Sequence, residues 1–358
     1  MLGKNWTIES ICPKGLISLT LHDEARTMPS QKASAFPTKS LILDALTTDI
    51  DLSDAILDLL DNSVDGARRT EKDPSKWGQF AITISFNKNK FEINDNCGGM
   101  DADVAQEYAF RFGRPSKRLP EHGLLGIYGV GMKRAIFKMG DHFTVSSKTK
   151  NSYFKISEDL KIWRDDENLW EFDFDKFETG KTFPPKDAGT DIEVKALFDG
   201  ISQDFQNPEF QSELIKKAAK THRAALQNGL RITVNTIPLQ TAGFTILKSD
   251  EILPAFEKYE FNGSGSPVNV LLYAGISKSQ PKDAGWYVFC NGRMVLEADQ
   301  TTRTVWGGTI GDVSIPKIHN QFARFRGFAF FECDDQKRLP WTSTKSNIDL
   351  SSDIYRKV

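Results

Sequence analysis

The sequence predicts an α+β fold in two parts, and three observations predict it. The stretch 54–67 sets its apolar residues at helical spacing, two short alternating stretches follow as a hairpin, and a second series of short strands lies beyond a helical stretch at 208–227. At 358 residues the chain exceeds the usual size of one domain, which makes two domains the default.

In order along the chain, residues 1–40 are interrupted by Pro13, Pro29 and Pro37 and read as an arm ahead of the first packed domain, 41–205. That domain opens with a helix in which Ala55, Ile56, Leu59, Leu60 and Val64 form the apolar stripe, and Ser53 or Asp51 is available as N-cap. Residues 80–86 alternate like a strand, and 90–93 form a second strand that runs into the turn Asp95-Asn-Cys-Gly-Gly-Met100. The polar, basic stretch 102–125, with Arg111, Arg114, Lys117 and Arg118 among Gly113, Pro115 and Pro120, reads as a mobile excursion suited to a lid. A glycine-rich run, Gly126-Ile-Tyr-Gly-Val-Gly-Met-Lys133, leads into a helix over 133–139, and strands around 143–147, 153–156, 170–174 and 191–194 complete this half. Residues 206–230 supply a connecting helix. The second α+β domain, 231–358, takes strands at Arg231–Val234, 268–273, Gly285–Cys290, 294–296 and 327–331, and the chain stops in a short helix.

Composition narrows the classes. Charged residues make up 26% of the chain and Phe and Trp are plentiful, which places it among ordinary globular proteins rather than disordered or fibrous ones. The formal net charge of −2 gives the whole chain no electrostatic case for nucleic acid or an anionic membrane. Cys12, Cys97, Cys290 and Cys333 are scattered without metal-ligand or redox spacing and read as reduced thiols. Residues 1–20 lack a basic region followed by an apolar run, and no stretch has the apolar length to cross a bilayer, so cytoplasmic residence without membrane contact is expected.

Three groups of residues carry chemistry. Asp58, Asn62 and Asp65 project from one side of the first helix, with Asp61 pointing elsewhere. A carboxylate and a carboxamide one turn apart suit a division of labour, the amide oxygen helping to hold a hard cation such as Mg²⁺ and the carboxylate orienting a water. Taken alone, acidic residues on a helix face describe a solvated surface. Asp95 stands where a strand gives way to Gly98 and Gly99, so it would accept a hydrogen bond from an exocyclic amine while a flat ring lies on the glycines; an ordinary hairpin uses the same residues. Gly126, Gly129 and Gly131 open a helix and would expose backbone N–H groups to phosphate oxygens, with Lys133 adding charge. No Gly-Lys-Ser/Thr follows and no parallel βαβ unit surrounds them, which excludes a Walker loop and a dinucleotide fingerprint.

In this order the blocks resemble the Bergerat-type ATP-binding domain of the gyrase, heat-shock chaperone, histidine kinase and MutL (GHKL) superfamily, and they look closest to MORC-like and MutL-like proteins. The resemblance covers roughly residues 40 to 200. It implies a Bergerat α/β sandwich followed by a transducer-like α+β domain, with ATP and Mg²⁺ as ligands. Asp58 would be the general base, Asn62 the magnesium ligand and Asp95, with Gly99 and Met100 in its turn, the adenine reader. Gly126, Tyr128, Gly129, Val130, Gly131, Met132 and Lys133 would cap the phosphates, and Thr190 of the Gly189-Thr190 pair would join the adenine network. In the second half, Val288-Phe-Cys-Asn-Gly-Arg-Met-Val295 resembles the transducer's V-N-x-R segment, and Leu339-Pro-Trp-Thr-Ser-Thr-Lys-Ser346 its lysine loop, making Lys345 the γ-phosphate sensor. An ATP-dependent homodimer is implied, with the arm crossing to its partner.

Two departures from the family pattern bear on activity. The usual catalytic Glu is Asp58 here, one methylene shorter, which predicts slow or absent hydrolysis; Cys97 replaces a turn glycine and reads as a buried structural thiol. An ATP-gated clamp in DNA maintenance or phage defence, a non-hydrolysing nucleotide sensor and a chaperone-like ATPase are the competing readings. A protein effector or a C-terminal effector region would complete the first. Lys216, Lys217, Lys220 and Arg223 are the residues DNA would meet, although the aromatic interleaving of single-strand binders is missing.

Overall fold

Helix α2 (Leu52–Thr70) is the element on which the first half is built, because its apolar stripe of Ala55, Ile56, Leu59, Leu60, Val64 and Ala67 is buried along its whole length. The computed structural model describes residues 38–112, 130–166, 168–241, 243–263, 265–342 and 344–358. Most of the expected N-terminal arm (1–37) and the loop residues Gly126, Tyr128 and Gly129 lie outside them. Helix α1 (Lys39–Thr47) starts where the Thr38 hydroxyl accepts the Leu41 N–H at 3.3 Å.

Strands β1 (Ala81–Asn87) and β2 (Lys90–Asp95) form the expected antiparallel hairpin, with Ile82, Ile84, Phe86, Phe91 and Ile93 turned to the core. Next come α3 (Ala102–Val104), a π-helical turn at Ala105–Ala109, and α4 (Gly131–Met139). The described part of the stretch expected to be a mobile excursion is therefore helical and packed. Ala102, Ala105 and Ala109 are buried, and Phe110 and Phe112 pack against the core. Strands β3 (Gly140–Lys148) and β4 (Ser152–Asp159), helix α5 (Leu160–Asp165), β5 (Phe174–Thr179) and β6 (Gly189–Leu197) follow. The strand expected at 170–174 begins only at Phe174, because Trp170 and Phe172 spend their apolar surface on an aromatic cluster around Trp163 rather than on a sheet face.

Helices α6 (Asp199–Gln206), α7 (Pro208–Thr221) and α8 (Arg223–Gln227) lead to β7 (Arg231–Val234) and β8 (Ile237–Pro238). The single connecting helix expected at 208–227 is thus two helices, broken at His222, whose φ and ψ are −102° and 25°. Strand β7, expected to open the second half, instead pairs parallel with β1, its Ile232 and Val234 completing the first core. The described strands of this sheet run in the order β5-β4-β3-β6-β2-β1-β7-β8.

The second sheet contains β9 (Ala255–Gly263), β10 (Gly265–Ile276), β11 (Gly285–Cys290), β12 (Arg293–Asp299) and β15 (Phe325–Glu332), ordered β12-β11-β15-β10-β9. A small hairpin of β13 (Thr309–Ile310) and β14 (Val313–Ser314) precedes β15, and α9 (Asp353–Lys357) ends the chain. This sheet buries its own cluster, with Val268, Val270, Val288, Phe331 and Trp341 among its members. Among the described residues no helix is long and apolar enough to cross a membrane.

Candidate functional site

Three strands bring one polar cluster together. Asp95 of β2, Thr190 of β6 and Ser147 of β3 are direct cross-strand neighbours and share one sheet face. Asp95 accepts hydrogen bonds from Ser63 Oγ at 2.6 Å, the Cys97 N–H at 2.8 Å and the Thr190 N–H at 3.3 Å. Burial raises its pKa above the usual carboxylate value, a push that these hydrogen bonds only partly offset. Ser147 Oγ accepts the Met100 N–H at 2.8 Å, lies 2.8 Å from Thr190 Oγ1 and donates to the Gly189 carbonyl at 3.0 Å, which leaves Thr190 to donate to Ser147.

The turn after Asp95 requires glycine for two separate reasons. Gly98 and Gly99 have φ of 96° and 70°, and a Cβ on Gly99 would come within 2.1 Å of the Lys148 carbonyl oxygen. Cys97 is buried, and burial pushes its thiol up, so it sits there as the expected structural thiol.

Helix α2 connects this cluster to a second one. Ser63 reaches Asp95, and one turn back the buried Asp58 forms an ion pair with the half-buried Arg134 of α4. Asn62 lies between them, half-buried, and its carboxamide has no hydrogen-bond partner among the described residues. Burial raises the Asp58 pKa, with Arg134 opposing and Asp61 adding to the rise. Helix α4 begins directly over Asp58, a Cβ on Gly131 lying 3.5 Å from Oδ2. The first-turn N–H groups of Gly131, Met132 and Lys133, just after Val130, have no acceptor within the helix, and this end carries its positive dipole. The Lys133 ammonium, expected at the phosphates, is instead buried and donates to the Ala109 carbonyl at 2.6 Å; burial lowers its pKa to about 7.

The third cluster joins α2 to the second sheet. Asp61 accepts from Arg293 through Oδ1 and from Lys345 through Oδ2 at 3.1 Å, and the ring of His222 stands 3.5 Å from Oδ1. All four side chains are buried. Burial works against the charged form of Asp61, but Arg293 and Lys345 outweigh it and hold the carboxyl well below its usual range. His222 is pushed down to about 4, first by burial and then, against the pull of Asp61, by Arg293 and Lys345. The hairpin that supplies Arg293 turns at Asn291 and Gly292, both with left-handed φ, and the Asn291 amide ties it to the backbone of Cys333 through bonds of 2.8 and 3.0 Å. A cleft of about 570 Å³ opens beside this cluster, lined by Asp61, Arg68, Trp77, Arg293, Trp341 and Lys345 among others.

Of the residues singled out in the sequence, the structure brings Asp95 and Thr190 into the first cluster, Asp58 into the second and Lys345 into the third, with Asn62 between the first two on α2; Ser63, Arg134, Ser147 and the partners of Asp61 were not singled out. A signal for Asp61 was present. It occupies a core-stripe position between Leu57 and Val64, where an ionised residue is found only when it is paired.

Residues 50–190 match the family described as Histidine kinase-, DNA gyrase B-, and HSP90-like ATPase. The match supports the GHKL superfamily for this segment. It spans α2, the Asp95 turn, the glycine run and Thr190, so the first two clusters fall within the GHKL-type domain while Arg293 and Lys345 lie outside it. No curated protein shows a significant match to the chain.

Proposed function

We propose that this protein binds ATP with Mg²⁺ in its GHKL-type domain, hydrolyses it slowly, and uses the triphosphate state to close a dimeric clamp. The observation that carries the reading is the reach of α2: one helix contacts the Asp95 cluster through Ser63, presents Asn62, and places Asp58 under the start of α4. In this reading Asp95 accepts the adenine amino group and Thr190 supports it, while the N–H groups at the start of α4, with the preceding glycine loop, receive the phosphates. Asn62 suits a magnesium ion that keeps most of its waters, since its amide oxygen is half-buried and without a partner among the described residues. When bound, that ion neutralises phosphate charge. Asp58 orients the attacking water, and its raised pKa fits a general base. The transducer role of the part that carries the second sheet, from β9 to the end of α9, with Lys345 as phosphate sensor, belongs to the same proposal, as do the homodimer, an effector partner and a place in DNA maintenance or phage defence.

One observation favours the second reading, a nucleotide sensor without turnover. Asp58 is held by Arg134 through Oδ2, and that cation opposes the basicity that burial gives the carboxylate. Steady-state phosphate release separates the two. The first reading expects slow release by the wild type, loss of release with retained ATP binding in Asp58→Ala, and loss of both in Asn62→Ala. ATP binding without release by the wild type establishes the second. Light scattering with a non-hydrolysable ATP analogue tests the clamp: a protein that stays monomeric when loaded contradicts it.

A further inference from the structure

Asp61 of α2 binds two cations, and the two reach it through different oxygens. Arg293 uses Oδ1 and Lys345 uses Oδ2 at 3.1 Å, so the lysine is able to leave without orphaning the carboxylate. The backbone around Lys345 is fixed independently of its side chain. Its N–H donates to the Thr342 carbonyl at 2.9 Å, its carbonyl accepts from Arg293 Nε at 3.2 Å, and Thr342 N–H donates to Asn347 at 2.9 Å. What holds the ammonium is the Asp61 pair and, at 5.5 Å, the face of Trp341.

The charge balance of the cluster points outward. Asp61 is one negative charge against the two positive charges of Arg293 and Lys345, and His222, kept neutral near pH 7, adds none. The flanking carboxylates are already engaged, Asp58 by Arg134 and Asp65 by Arg68 at 3.4 Å. Lys345, buried and also under the pull of Asp65 and Asp58, therefore shares its nearest carboxylate with a second cation, and an anion arriving there meets a lysine whose partner has Arg293 to keep.

We propose that Asp61 is a positioning residue for the nucleotide site: it is the resting counter-ion of Lys345, holding the lysine against α2 and releasing it to the phosphates of a bound nucleoside triphosphate, while Arg293 stays on the carboxylate. This rests on the reading of Lys345 as phosphate sensor. It adds that the sensor starts from a built ion pair, and that each triphosphate bound must break the Asp61–Lys345 contact between the second sheet and the ATPase helix.

A double-mutant cycle on the full chain tests it, with wild type, Asp61→Asn, Lys345→Met and the double variant compared in chemical denaturation, with and without Mg²⁺ and a non-hydrolysable ATP analogue. Without nucleotide the two substitutions should be strongly non-additive; at saturating analogue the coupling should disappear. Binding separates the residues further. Lys345→Met should weaken the analogue on the order of tenfold, whereas Asp61→Asn should tighten it, because the lysine no longer leaves an ion pair. Coupling that persists undiminished in the loaded protein, or an Asp61→Asn variant that weakens binding as Lys345→Met does, overturns the proposal and leaves Asp61 a purely structural tie. A wild type that binds no analogue overturns the nucleotide reading and the proposal with it, while the nucleotide-free coupling still reports the tie. If Asp61→Asn does not fold, the Lys345 ammonium is followed in the wild-type full chain by lysine-labelled NMR on titration with Mg²⁺ and the analogue: a shift of its resonance on loading is expected, and a resonance unchanged at saturation overturns the proposal.

Discussion

Helix α2 carries two buried carboxylates three residues apart, and the two sides of the molecule that receive them treat them in opposite ways. Asp58 faces α4, where Arg134, with a weaker pull from Lys345, does not make up for burial and the nearby charge of Asp61, and its pKa rises. Asp61 faces the second sheet, where Arg293 and Lys345 together overcome the same penalty and hold it ionised far below the ordinary range. Burial is the largest push on both carboxylates, and the charges set against it decide the direction of the net shift. The Asp58 side keeps a carboxylate that takes a proton more readily than a free one. The Asp61 side keeps a permanent anion that fastens one sheet to the helix of the other.

The comparison predicts unequal costs. Asp61→Ala leaves Arg293 and Lys345 buried without their anion and should destabilise the nucleotide-free protein by about 3–5 kcal/mol. Asp58→Ala orphans only Arg134, an expected loss of about 1–3 kcal/mol. Urea denaturation of both variants checks this, and equal losses would erase the distinction between the two sides.

A smaller effect comes from His222, which sees Asp61, Arg293, Lys345 and Arg68. Its folded pKa of about 4 lies below the unfolded value of 6.5, so the unfolded chain binds the extra proton between these limits. Stability is then fully present above about pH 6.5 and lost as pH falls towards 4, by up to about 3 kcal/mol from this group. Replacing it in His222→Gln should flatten that part of the stability profile; a slope identical to wild type would remove His222 from the account. The smallest effect is expected at Gly131→Ala on the Asp58 side. The added Cβ meets Asp58 at an ordinary 3.5 Å, and at the first position of the helix alanine gains only a fraction of its interior advantage over glycine, so the melting temperature should hold or rise slightly. A marked fall would mean that α4 sits closer to Asp58 than described.

The same contrast explains what the sequence made legible. Asp58, Asn62, Asp95 and Gly131 lie in short local blocks whose spacing on a helix or turn is visible without coordinates, and the α2 helix and the β1–β2 hairpin followed from periodicity alone. The Asp61 cluster is assembled from partners 232 and 284 residues away, so no local pattern joins them. Strand β7 was assigned to the wrong sheet for a related reason: its apolar alternation suits either sheet, and only the path of α6 to α8 brings it beside β1. The aromatic run at 170–174 read as a strand because apolar residues that fill a cluster and those that face a sheet leave the same mark in a short window.

The central claim is that the cluster around Asp95 and the start of α4 form a nucleotide site. Titration calorimetry of the full chain with Mg²⁺ and a non-hydrolysable ATP analogue, on wild type and Asp95→Ala, tests it most directly. Saturable binding of one nucleotide per chain, weakened on the order of a hundredfold in Asp95→Ala through loss of a buried carboxylate's hydrogen bonds, is the predicted result. No binding by the wild type, or equal binding by both, would contradict it.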